Sequence, residues 1–406
     1  ELEQADQRKL ARRLERVLSN DPAIVAWVIR NKEFQRRRVA LTGHLERPGS
    51  RYELQEMLSL LAELLGQLVD SGSCDDLRDE LGWAQSNLAL NQLKLGLLPQ
   101  AETDIGRAIE LFEVLVKKEK QYEFRPALST TYYRASQVYE ASGDSQGALD
   151  FADKAVQGFV DLVEDRGRTE LAPRLGLALA HRGGLHYQSE NLAAAKTDLQ
   201  RASRMLESAD SGQSEDESYR TIVEIQLELA SILLKEQDFQ GAIQESGKAV
   251  QLATEALEEK GLDEFQPLLA TCHGIRAKAY LKVDENERAV RDVAKSISLR
   301  NLSVDEGRLE QRYHLAADLQ LKAQIDQNRR ALEDAARDLG QAVQLLETLS
   351  SEGRKDAAPQ LLRCLQDRAR ISLAAGDSDS GTQDLKRALA MVEQYGDAQQ
   401  GLKLSI

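Results

Sequence analysis

Cysteine, proline, positive charge and long apolar runs are all in short supply in this chain, and each shortage removes a class of protein. The three cysteines, Cys74, Cys272 and Cys364, form an odd set without Cys-x-x-Cys spacing. That argues against a redox or metal role and for free, buried thiols in a reducing compartment. Cys272 and Cys364 lie 92 residues apart, a separation that suggests equivalent packing positions in a repeating chain. Seven prolines and 26 glycines in 406 residues leave the chain to its strong helix formers, Ala, Leu, Glu, Gln and Arg, and no strands are expected. A net charge of −14 and a pI near 5.1 count against nucleic acid as a principal ligand, since that binding draws on Lys and Arg against phosphate. An anionic membrane surface is disfavoured for the same reason. No apolar run approaches the roughly 18 residues that a membrane span needs, and no signal-peptide pattern opens the chain. The expected location is cytoplasmic. The first residue is Glu1 rather than Met, as expected of an excised or processed piece of a longer protein.

Catalytic and metal-binding constellations are missing too. The histidines are His44, His181, His186, His273 and His314. His181 and His186 stand five apart rather than the four that aligns ligands on a helix face, and there is no HExxH. GxGxxG, Walker and GxSxG motifs do not occur, and Gly183-Gly184 reads as a small helix position beside a neighbour. We expect no enzyme, no cofactor and no metal.

What the chain has is a period. Ala101, Ala148, Ala195, Ala242, Ala289 and Ala335 are spaced by 47, 47, 47, 47 and 46 residues, and Gly381 follows after another 46. Seven residues on in the same register stand Ala108, Ala155, Ala202, Ala249, Ser296, Ala342 and Ala388. A separation of seven places both small residues on one helix face, two turns apart, where a neighbouring helix can approach closely. Each period resolves into two helices. The first, in residues 82 to 128, are LGWAQSNLALNQLKLG and PQAETDIGRAIELFEVLVKKEK, with Gly96 at the turn between them. That turn returns as Gly143-Asp144, Glu190-Asn191, Gln237-Asp238, Asp284-Glu285 and Gly376-Asp377, ordinary helix stops and N-caps. The unit holding Ala335 lacks a clear turn signal. Pro126, Pro173, Pro267 and Pro359 recur at one position, in the first turn of a helix. Gly167, Gly261, Gly307 and Gly353 recur where the second helix ends and a left-handed cap is needed.

These features resemble the tetratricopeptide repeat, in a long-unit bacterial variety of 46 to 47 residues. The resemblance covers about residues 82 to 393. It departs from the standard unit in its 12 or 13 extra residues and in mostly missing Trp and Tyr signatures. It implies an all-α fold: a right-handed α-solenoid of antiparallel helix pairs, a TPR-like superhelix. The expected organisation is N-terminal capping helices over 1–34 and a degenerate unit over 35–81. Seven repeats over 82–393 and a tail over 394–406 follow. In the degenerate unit Leu54, Leu58 and Leu61 take the packing positions of a second helix. The basic stretches Arg8 to Arg16 and Arg36 to Arg38, interleaved with Glu15 and Glu33, read as solvated helix faces.

One charge pattern follows the period. Seven positions into the first helix stand Leu88, Ala135, Arg182, Leu229, Arg276, Lys322 and Arg368. Sixteen residues later stand Asp104, Phe151, Asp198, Glu245, Asp292, Asp338 and Asp384. Wherever the first helix supplies a base, the second supplies an acid. We expect an ion pair within each such unit, repeated up the stack and fixing its register.

The resemblance also implies a use. Tetratricopeptide arrays line a concave groove with their first helices. The corresponding positions here are Trp83, Ser86, Leu90, Leu93, Tyr133, Gln137, Leu177 and Tyr187, aromatic and apolar in character. Further along they are Leu227, Ser231, Lys278, Lys282, Gln320, Gln324, Arg363 and Arg370, increasingly basic. The function implied is a non-catalytic scaffold that binds a protein or an extended peptide. The alternatives are a regulatory or sensory segment of a larger signalling protein and a self-assembling structural protein.

Overall fold

The computed structural model describes residues 51–70, 77–207 and 215–396. The expected capping helices over 1–34, the basic stretches, Cys74 and most of the expected tail lie outside the described residues. Among the described residues there are fifteen α-helices and no strand. A lone helix α1 (Arg51–Asp70) is followed by pairs of neighbours joined by short turns. They are α2 (Arg78–Lys94) with α3 (Leu98–Glu113), α4 (Arg125–Ala141) with α5 (Ser145–Val160), and α6 (Ala172–Gln188) with α7 (Leu192–Glu207). Next come α8 (Glu215–Lys235) with α9 (Phe239–Thr254), and α10 (Gln266–Lys282) with α11 (Asn286–Asp305). The last are α12 (Gln311–Asn328) with α13 (Leu332–Ser351), and α14 (Ala357–Ala374) with α15 (Ser378–Gly396). Packing divides the chain into two compact units, Glu1–Glu215 and Asp216–Ile406.

The turn inside each pair is closed by one residue in the left-handed region. Gly96, Gly143 and Gly376 hold φ of 74°, 83° and 88°, and Glu190, Gln237, Asp284 and Arg330 hold 61°, 64°, 60° and 62° at the same position. Arg330 thus marks the turn that the sequence conceals. A side chain there costs on the order of 1 kcal/mol or more, so the packing of the two helices imposes the turn. The following residue often caps the second helix: Asp144 accepts from the Gly147 amide at 2.9 Å and Asp238 from that of Gly241 at 3.0 Å. Pro126, Pro173 and Pro267 are the second residues of α4, α6 and α10, where no helical partner awaits their nitrogen.

The alanines lie at the helix crossings. Ala101, Ala148, Ala195, Ala242, Ala289 and Ala335 are fully buried, as are Ala108, Ala155, Ala202, Ala249, Ser296 and Ala342. Gly381 continues the series because a Cβ there would meet Leu373 Cγ at 2.7 Å. In α1, Leu58 and Leu61 are buried against Leu81, Ala84 and Leu88 of α2, with Leu54 packed beside them. Cys272 and Cys364, equivalent in register, are both fully buried, and burial pushes each thiol up to about 12.

The change of period from 47 to 46 has a structural cause. Helices α3, α5 and α9 end in a π-helical turn, at Val114–Lys118, Asp161–Asp165 and Glu255–Glu259. Helices α11 and α13 end as plain α-helix before Gly307 and Gly353. A π turn holds one more residue than an α turn. The described units that contain it are 47 residues long, and those without it are 46.

Candidate binding faces

The charge pattern becomes contact in all four units that carry it. Arg182 reaches Asp198 with Nε at 2.7 Å and Nη2 at 2.8 Å. Arg276 makes the same two-pronged contact with Asp292, at 2.7 and 2.8 Å, and Arg368 with Asp384, at 2.7 and 2.6 Å. Lys322 Nζ lies 2.5 Å from Asp338. The carboxylates are nearly buried, 4 to 12% exposed against 20 to 25% for the bases. Such a pair holds the two helices of a unit in register, because a lone buried carboxylate would be costly. At Asp292 burial raises the carboxyl pKa, but hydrogen bonds from Arg276 and His273 outweigh it and hold the group below its ordinary value. The His273 contact, Nδ1 to Oδ1 at 2.9 Å, fixes the proton on Nδ1, since a carboxylate can only accept. Phe151 takes the acid position in the α4/α5 pair and packs against Tyr132 and Tyr139.

First helices of successive pairs touch one another through polar side chains. Arg134 Nη1 donates to Ser86 Oγ at 2.9 Å, Gln188 Nε2 to Glu140 Oε1 at 2.7 Å, and Gln320 Nε2 to Asp367 Oδ2 at 2.8 Å. Ser136 donates its hydroxyl hydrogen to the Ala148 carbonyl at 2.7 Å. It therefore accepts from His181 Nε2 at 2.8 Å, which leaves Nδ1 to titrate, 3.8 Å from Glu140. Burial lowers the His181 pKa and Glu140 offsets part of that. Sequence reasoning missed these lateral links, whose only trace is polar residues 45 to 48 apart.

The residues expected to line a groove separate into three kinds. Two are corrected: Ser86 is 2% exposed beneath Arg134, and Leu227 is 6% exposed in a core cluster with Val223, Ala249 and Leu269. Their side chains point into the stack and line no open surface. Half-buried are Trp83, Leu90, Leu93, Tyr133, Gln137, Leu177, Tyr187, Ser231 and Gln320. Of these, Trp83 packs on the α1/α2 cluster and Leu93 on the Ala101 and Ile105 cluster. Tyr133 meets His181 edge-on at 5.5 Å and accepts from Gln137 at 3.1 Å. The Ser231 hydroxyl turns back to the Leu227 carbonyl at 2.8 Å. Exposed are Lys278, Lys282, Gln324, Arg363 and Arg370, the last paired with Asp367.

Among the described residues no cluster of His, Cys, Asp or Glu could hold a metal ion. No described helix is long and apolar enough to cross a membrane.

This is the fold of a tetratricopeptide-type helical repeat protein. One such neighbour is a signal transduction ATPase with numerous domains, carrying a tetratricopeptide repeat sensor, from Pyrococcus horikoshii. The likeness has a TM-score of 0.55 at 13% identity and covers 97% of this chain but 53% of that one. The apo form of the quorum sensor NprR from B. thuringiensis is similar with a TM-score of 0.52 at 13% identity, over 97% of this chain and 100% of that one. The apo form of RapI gives 0.50 at 11% identity, over 90% and 98%. No protein-family model and no curated protein matches the sequence.

Proposed function

We propose that the chain is a non-catalytic, cytoplasmic interaction scaffold that holds a protein or an extended peptide against the face lined by its first helices. The observation that carries this reading is the character of that face. In a chain of net charge −14, the expected groove positions that are exposed in the second unit are Lys278, Lys282, Gln324, Arg363 and Arg370. In the first unit, taken by itself, the first helices offer half-buried Leu90, Tyr133, Leu177 and Tyr187. Aromatic and apolar surface of this kind anchors a partner's side chains, and cations steer its acidic groups. A second reading, a regulatory or sensory segment of a larger signalling protein, draws support from the neighbours named as a quorum sensor and as a repeat sensor within a signalling ATPase.

Cross-linking of the full chain to partners captured from its source cell, followed by mapping of the linked residues, tests the scaffold. Links clustered at Lys278 and Lys282 are expected. Links confined to second helices, or to a second copy of the chain, would count against it.

A further inference from the structure

The ion-pair ladder contains a rung with an acid and no base, and a crevice stands over it. In the α6/α7 pair Arg182 touches two second helices at once: Asp198 of α7, and Asp153 of α5 through Nη1 at 2.9 Å. Its guanidinium therefore lies between the second helices of consecutive pairs. Two periods earlier the arginine position is Leu88, Asp198 becomes Asp104 on α3, and Asp153 becomes Ser59 on α1, one turn from Glu63. Ser59, Glu63, Leu88 and Asp104 all line one crevice of about 680 Å³, with α1 and α3 as its walls and α2 as its floor.

Asp104 has weaker company than any other acid of the ladder. It accepts from the neutral amide of Gln92 at 2.9 Å, and its nearest cation, Arg107, stands 3.8 Å away with a side chain 63% exposed. Glu245, whose first-helix counterpart is Leu229, is instead gripped by Lys248 at 3.0 and 3.1 Å. A second observation is independent of the acids. Gln85, also lining the crevice, is 7% exposed, and its Oε1 accepts no hydrogen bond among the described residues. Carboxylates outnumber cations around the crevice: Glu63, Asp70, Asp104 and Glu110 against Arg107 and Arg78, and Arg78 is already paired with Glu119.

We propose that this crevice is a guanidinium site, which takes an arginine side chain from a partner protein. The partner's arginine supplies from outside the base that Arg182, Arg276 and Arg368 supply from within. Its aliphatic stem lies over Leu88 and Leu111, and its planar fork meets the two oxygens of the Asp104 carboxylate. An ammonium group lacks that fork. The site faces the second helices and is separate from the first-helix face proposed for peptide binding.

The test is a nuclear magnetic resonance titration of the full chain with N-acetyl-arginine amide and with its neutral isostere N-acetyl-citrulline amide. Saturable shifts confined to α1, α2 and α3 are expected with arginine, with affinity at least about tenfold above that for citrulline, as befits a charge-assisted contact. Asp104→Asn should bring arginine down to the citrulline level. Leu88→Arg should build the rung internally, abolish the arginine response and raise the melting temperature. Equal responses to the two probes, no saturable shift in this region, or arginine binding that survives Asp104→Asn would overturn the proposal. Should Leu88→Arg fail to fold, Asp104→Asn decides alone.

Discussion

A buried arginine is tolerable only when its donors are met, and Arg300 meets this condition through changes at three positions at once. Elsewhere in the register the crossing is apolar: Ala342 stands for Ser296, Leu346 for Arg300, and Cys272 and Cys364 for Asp318. Here Arg300, 4% exposed, donates to Asp318 at 2.6 Å and to Gln311 at 2.8 Å, while Ser296 donates to Asp318 at 2.6 Å. Arg300→Leu alone leaves a buried carboxylate without its cation and should cost about 3 to 5 kcal/mol. The triple change Arg300→Leu, Ser296→Ala, Asp318→Cys restores the apolar crossing. It should melt at or above the native temperature, and a triple variant as unstable as the single one would refute this account. Ala249, fully buried at an ordinary crossing, has no such compensation, so Ala249→Leu should cost about 1 to 3 kcal/mol by overpacking. The ladder gives a pH dependence. Since Asp292 has its pKa lowered by folding, its stabilisation is full above the unfolded carboxyl's pKa, about 4, and is lost as pH falls through the lower folded value. Melting curves of Asp292→Asn should therefore decline less than the native chain's between about pH 4 and pH 2, from a lower starting point at neutral pH.

At the scale of the helix, the change of period from 47 to 46 residues was visible in the spacing, but its cause was not. A π turn differs from an α turn in which carbonyl receives each amide, and no residue type in Val114–Lys118, Asp161–Asp165 or Glu255–Glu259 announces it. What selects it is length: the left-handed cap residue, Lys120, Gly167 or Gly261, and the next first helix are fixed by packing, and one surplus residue must be absorbed before them. Deleting exposed Glu258 should accordingly turn the end of α9 into plain α-helix, like α11, with little change in melting temperature. Deleting one residue from the middle of α9 instead rotates Ala249 about 100° away from its crossing and should unfold at least that pair. Circular dichroism melts of the two variants separate these outcomes, and equal damage from both would remove length as the explanation. The same dominance of packing over local preference explains Arg330, whose turn the sequence hid and whose left-handed φ of 62° matches its equivalents.

Over the whole chain, what repeats was legible and what depends on a single neighbour was not. Small residues at the crossings, prolines at helix starts and acids opposite bases recur in several copies, so an exception in one unit did not obscure the rule. The accessible face has no such redundancy. Whether a first-helix side chain meets solvent depends on the size of the residue beside it on the next first helix, as Arg134 covers Ser86. The exposed cations Lys278 and Lys282 and the half-buried Trp83 and Tyr133 therefore stand to act differently on a bound partner. Charges at an exposed rim steer encounter more than they hold a complex. Lys278→Glu with Lys282→Glu should thus slow association and flatten its dependence on salt while leaving dissociation nearly unchanged. Trp83→Ala or Tyr133→Ala should instead speed dissociation, costing about 2 kcal/mol or more where either is an anchor. Stopped-flow association and titration calorimetry with a captured partner read the two effects apart. Binding indifferent to all four substitutions would move the interface to the second helices, where the crevice over Asp104 is the next place to look.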